Sequence, residues 1–99
     1  MLNITKEVKE KELLIALEGR LDTVTAPQLE NEVKDSIEGI ENLVIDCTNL
    51  EYISSAGLRV LLSAQKTMNK QGSMVVRNVS EEVREIFDVT GFVDILTIE

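Results

Sequence analysis

The sequence predicts a single α/β domain over residues 1–99: a mixed, mostly parallel sheet of about four to five strands packed with about three to four helices. Short apolar runs of strand length recur at Leu13-Leu14-Ile15-Ala16-Leu17, Leu43-Val44-Ile45 and Met74-Val75-Val76. Between and after these runs the apolar spacing switches to the helical period. Strand and helix then alternate along the chain, an order that implies right-handed crossovers between parallel strands.

Leu2, Ile4, Lys6 and Val8 form an opening strand, and Lys9-Glu10-Lys11 is a polar turn that lets it pair with the next run as a hairpin. That next run, Leu13 to Leu17, is apolar without interruption, so cover on both faces is expected. Residues 19–24 read as a loop. Thr25-Ala26-Pro27-Gln28 is a helix start: Thr25 can cap, Pro27 suits the first turn, and Gln28 stands where a capping box needs it. Ala26, Leu29, Val33, Ile37 and Ile40 recur at helical spacing, with Gly39 as terminator. Leu43-Val44-Ile45 is the next strand and leads through Asp46-Cys47 to a polar turn at Thr48-Asn49. From Ala56, the residues Leu58, Leu61, Leu62, Gln65 and Met68 follow the helical template. Val60 and Ala64 widen that helix's apolar face, and Gly72 ends it. After the strand at Met74-Val75-Val76, Ser80 caps a last helix with Glu81 and Glu82 in its first turn. Val83, Ile86 and Phe87 face inward, Gly91 closes the helix, and Ile95-Leu96-Thr97-Ile98 makes a final strand.

Composition narrows the function. A chain of 99 residues with 43% hydrophobic content can build one core without metal or disulfide. Its 18 acidic and 10 basic residues give a net charge of −8, which repels a phosphate backbone and makes nucleic acid an unsuitable partner. The acids either solvate the surface or complement a basic partner. The single cysteine, Cys47, ends an apolar run and reads as a buried structural thiol in a reducing compartment. The first residues lack the apolar core of a signal peptide, and no run approaches the ~20 apolar residues that span a bilayer. The expected location is the cytoplasm, away from the membrane.

The side chains argue against an enzyme. There is no histidine, which removes the usual general base and the commonest transition-metal ligand. Ile53-Ser54-Ser55-Ala56-Gly57 lacks the glycine that precedes the serine in a nucleophile elbow. Lys66 and Lys70 leave a Ser–Lys pair open, though nothing in the sequence places them, and Asp22 and Asp46 are the carboxylates that adjoin apolar segments. No phosphate-cradling glycine motif or metal-ligand cluster is present, and no cofactor is expected.

The candidate site is the pair Ser54-Ser55, where a strand pattern gives way to a helical one. The first N–H groups of a helix have no partners within it and carry partial positive charge. A serine there can be an N-cap, a phosphate contact or a phosphorylation switch.

The run over residues 43–62 resembles the signature of the STAS family (sulphate transporter and anti-sigma factor antagonist domains). Gly19-Arg20-Leu21-Asp22 followed by Thr25-Ala26 resembles that family's second landmark, and the helix-plus-glycine segment over 83–91 completes a likeness covering nearly the whole chain. The resemblance implies a STAS-like sheet with helices packed against it. It also implies the role of a bacterial anti-sigma factor antagonist. Such a protein binds an anti-sigma factor that is also a serine kinase, and so frees a sigma factor. Phosphorylation of the antagonist ends the interaction, and a serine phosphatase restores it. With Gly57-Leu58 anchoring the match, Ser55 falls on the phosphorylated position, and Ser54 falls where the family has aspartate; Ser54 is the second candidate for the modification. By the same resemblance Arg20, Asp22 and Thr25 belong to the partner-facing region together with Ser54, Ser55, Ala56, Gly57 and Arg59. Each has a structural alternative: Asp22 can satisfy turn backbone, Arg20 can be a surface cation, and Gly57 can serve close packing. A different reading of the same domain is a STAS module that is never phosphorylated and binds a nucleotide or another small ligand, or scaffolds a signalling complex.

Overall fold

The computed structural model describes residues 2–99. Strand β1 (Leu2–Lys9) turns at Glu10-Lys11, with Glu10 at φ 57°, into β2 (Glu12–Leu21). Helix α1 (Ala26–Ser36) leads to β3 (Asn42–Ile53), α2 (Ser55–Gln71) to β4 (Ser73–Arg77), and α3 (Glu81–Thr90) to a single 3-10 turn at Phe92–Asp94. The sheet has four strands in the order β1-β2-β3-β4, antiparallel in its first pair and parallel in the other two. The expected architecture is therefore found.

One face of the sheet is the core. Leu13, Ile15 and Leu17 of β2, Leu43, Ile45 and Cys47 of β3, and Met74 and Val76 of β4 are all buried. The alternate residues Leu14, Ala16, Val44 and Val75 are only half-buried, so the second face of this sheet is not fully covered as the apolar run suggested. β2, β3 and β4 are joined by successive crossovers in one direction, which sets α1 and α2 on the same side. Leu29 and Val33 of α1, Leu61 and Met68 of α2, and Val83 and Phe87 of α3 complete a single cluster.

Four other expectations are corrected. Residues 19–21 are strand, not loop, and Thr48-Asn49 is not a turn, because β3 runs on to Ile53 and pairs with β2 to its end. Two register shifts, each with an extra residue in β3, put kinks in the ladder and break its alternation where the sequence turns polar. Helix α1 stops at Ser36, so Ile37 is its cap and Ile40 packs from the following linker. The last strand shrinks to one parallel bridge, Val76 to Ile98, because the 3-10 turn uses the residues before it.

Candidate functional site

The end of β3 fixes the start of α2. Ile53 points into the core, and the Ser54 N–H donates to the Leu21 carbonyl at 2.8 Å, adding one more rung to the β2–β3 ladder. Ser54 is extended at φ −100°, ψ 176°, and its Oγ accepts from the Gly57 N–H at 3.5 Å. It is the N-cap of α2, so the capping alternative belongs to Ser54. Replacing it with alanine is expected to lower stability by about 0.5–1 kcal/mol, the low end for a cap because the bond is long. Urea denaturation checks this, and an unchanged midpoint would show that the cap is idle.

Ser55 is the first residue of α2 and is exposed. Among the described residues no hydrogen bond engages its hydroxyl. Arg59, one helical turn on, is exposed as well, and Ala56 is half-buried between them. Gly57 is buried and serves packing: a Cβ there would meet Leu21 Cγ at 2.7 Å and Ile53 Cγ1 at 2.9 Å. Its lack of a side chain lets α2 start tight against the ends of β2 and β3.

The second landmark lies beside this helix start. The Asp22 carboxylate accepts from the backbone N–H groups of Val24 and Thr25, both at 3.0 Å. The Thr25 hydroxyl donates to the Arg20 carbonyl at 2.8 Å and accepts from the Asp22 N–H at 2.9 Å. These bonds replace the expected capping box, since Thr25 makes no side-chain cap and Gln28 instead donates to the Leu2 carbonyl. Thr25 is only 8% exposed, and it builds the loop from beneath. The Thr25 N–H, ahead of the opposing partial desolvation, holds the Asp22 carboxyl below the usual carboxylate range. Because the folded carboxyl binds its proton more weakly than the unfolded one, its support of the loop is present above that range and is lost as pH falls through it.

The two landmarks meet in a shallow groove of about 200 Å³ between the starts of α1 and α2, lined by Thr23, Ala26, Pro27, Ala56, Arg59 and Val60 among others. Val24, at 86% exposure, stands at the tip of the loop. Arg20 is not part of this groove. It lies opposite Tyr52 in the ladder, and its guanidinium stacks 4.4 Å from the ring centroid. The place of Tyr52 beside Arg20 and the exposure of Val24 were not legible in the sequence, since one depends on a register set by bulges and the other on a loop held by Asp22.

The geometry leaves no catalytic set among these groups. Lys66 and Lys70 lie about 16 Å and 22 Å along α2 from Ser55, too far for either to pair with it. Asp46 is engaged elsewhere: Thr48 donates to it through its hydroxyl and its N–H, and Asn78 through its amide. The Thr48 hydroxyl is the main reason the Asp46 carboxyl sits below its usual range, and this hydrogen bonding ties down the first bulge of β3. Cys47 is fully buried, and desolvation pushes its thiol up to about 12. Among the described residues no group of three or more His, Cys, Asp or Glu could hold a metal ion, and no helix is long and apolar enough to cross a membrane.

Comparison with known proteins agrees with the fold. The anti-sigma-B factor antagonist of Bacillus subtilis is 33% identical over 100 residues, covering 98% of this chain and 92% of the relative. The crystal structure of an anti-sigma factor antagonist from Mycobacterium paratuberculosis has the same fold at TM-score 0.89, with 23% identity, 99% of this chain and 85% of that one. The Bacillus cell fate determinant SpoIIAA, solved in its phosphorylated form, superposes at TM-score 0.76 with 19% identity, over 98% of this chain and 91% of that one. The family model for the STAS domain matches residues 3–99, and the chain belongs to that family.

Proposed function

We propose that this protein is a cytoplasmic anti-sigma factor antagonist that works by partner switching at Ser55. Unmodified, it binds an anti-sigma factor that is also a serine kinase, and a sigma factor is released. Phosphorylated on Ser55, it no longer binds, and a serine phosphatase resets it. The observation that carries this reading is the division of labour between the two serines. Ser54 takes the capping duty, so the Ser55 hydroxyl has no structural task and faces outward at the mouth of α2. The names of the relatives point the same way.

A phosphoryl group adds about −1.5 to −2 charges and three acceptor oxygens. On the first residue of a helix this charge meets the positive end of the dipole, so the fold tolerates it. Its effect falls on whatever covers the groove. A groove of about 200 Å³ is small beside the ~300–1,000 Å³ of ligand pockets, which favours a protein partner over a nucleotide or other small ligand.

The test is incubation with ATP and the cognate anti-sigma factor kinase, followed by mass spectrometry of the peptide over residues 49–59. One phosphoryl group on Ser55 is expected. A phosphoryl on Ser54, or none at all with an active kinase, would overturn the assignment.

A further inference from the structure

Helix α3 carries a surface that neither the core nor the Ser55 groove explains. Val89 is 80% exposed on it. Val89 and half-buried Ile86 lie with Glu82, Glu85 and Thr90 around a shallow concavity of about 280 Å³ on one face of the helix. Just beyond, Ile95 is 49% exposed. An exposed β-branched residue gains nothing from burial and lowers helix propensity, so the fold itself gives no reason for valine at this position.

This surface is separate from the Ser55 groove. Ser55 stands past the C-terminal end of β3, twelve residues beyond the point where Leu43 pairs with Met74 near the start of β4. Helix α3 leaves the C-terminal end of β4 and returns the chain to run parallel with it at Val76 and Ile98. A helix in such a crossover runs against the strands, which puts Val89 toward their N-terminal ends.

The charge around the concavity selects the occupant. Residues 80–99 hold six acids and one base, Arg84, so most of the chain's net charge of −8 resides in its last fifth. We propose that the α3 surface is a second docking site that takes a basic amphipathic helix of another protein, its apolar stripe on Ile86 and Val89 and its cations on Glu82 and Glu85. This is the helix-in-groove mode, with charge complementarity at the rim. A second copy of this chain fits poorly, because a two-fold contact would set the same acids against each other. An anionic lipid surface is repelled for the same reason.

The test uses the full chain, labelled with 15N, and three synthetic peptides: a Lys/Leu amphipathic helix, a scramble of the same composition, and a Glu/Leu helix of the same pattern. The basic helix is expected to shift the amides of residues 82–90 saturably, and neither other peptide should. Val89→Asp is expected to weaken that binding about tenfold although it adds negative charge, which separates apolar docking from simple attraction. Val89→Ser, which adds no charge, should weaken it in the same direction, and circular dichroism confirms that both variants stay folded. The proposal is overturned if the scramble binds equally well, if the shifts spread over the acidic surface or centre on the α2 groove, or if no saturable binding occurs. It is also overturned if sedimentation shows the chain pairing with itself through Val89.

Discussion

Ser55→Asp is expected to weaken binding to the cognate anti-sigma factor by at least about tenfold, whereas Ser55→Ala should bind within about twofold of the unmodified chain. Ser55 opens α2 and its hydroxyl is exposed, so alanine removes no internal bond. Aspartate brings a charge that the helix start accepts, worth about 0.3–1 kcal/mol in favour of the fold. Loss of binding in that variant therefore cannot be traced to unfolding, and its melting temperature should not fall. At a closed interface, however, the new carboxylate must shed water without gaining a designed cation, and a desolvated unpaired charge costs more than the dipole returns. Phosphoserine installed at residue 55 during synthesis should weaken binding further, since it carries more charge and bulk. Titration calorimetry with the three proteins gives the order. Equal, tight affinity for alanine, aspartate and phosphoserine would refute the switch.

Much of the fold was legible because local and global signals agree. The switch from strand runs to the helical spacing of Leu58, Leu61, Gln65 and Met68 located α2, and Ser80 with Glu81 and Glu82 located α3. The errors share a cause. The two bulges of β3 leave Thr48 and Asn49 exposed side by side, so a continuous strand imitates a strand and a turn. Once β3 was cut short, Gly19-Arg20-Leu21 had no visible partner and read as loop. Thr25 misled in a different way: its hydroxyl is claimed by the Arg20 carbonyl and the Asp22 N–H, bonds that exist only after β2 has ended where it does. At the candidate site, the motif pointed to Ser54 and Ser55, but only the structure assigns the cap to the first and, among the described residues, leaves the second hydroxyl without a bond. The family likeness placed Thr25 and Gly57 in the partner-facing region, and the structure adds that both are buried, Thr25 beneath the Asp22 loop and Gly57 against Leu21 and Ile53.

Gly72→Ala is expected to cost about 3 kcal/mol or more, an unusually large loss for a change of one methyl group at an exposed position. The cause is a crossing of backbones. Helix α2 ends at Gln71, and its last turn lies against the linker that enters β3. Gln71 Nε2 donates to the carbonyls of Ile37 at 2.8 Å and Ile40 at 2.6 Å, and the Ser73 N–H donates to the Glu41 carbonyl at 2.8 Å. These bonds draw the Glu41 backbone over residue 72, where a Cβ would run into the Glu41 carbonyl oxygen and sit 2.6 Å from its carbon. The obstacle is main chain, not the tip of a flexible side chain, so relief requires moving either the end of α2 or the start of β3. Both are tied to the sheet through the pair Asn42 and Ser73. Gly39→Ala is the natural control. Gly39 lies in the same linker at φ +79°, and a Cβ there would find nothing within 4 Å, so the change should cost only about 1 kcal/mol of backbone strain. For a domain of this size that separates the two variants by roughly 8 °C or more in melting temperature. Equal losses would mean that the linker is soft and that the crossing does not hold α2 in place. Because α2 presents Ser55 at its other end, slackening here should also blur the groove, and amide exchange across residues 54–60 would register it.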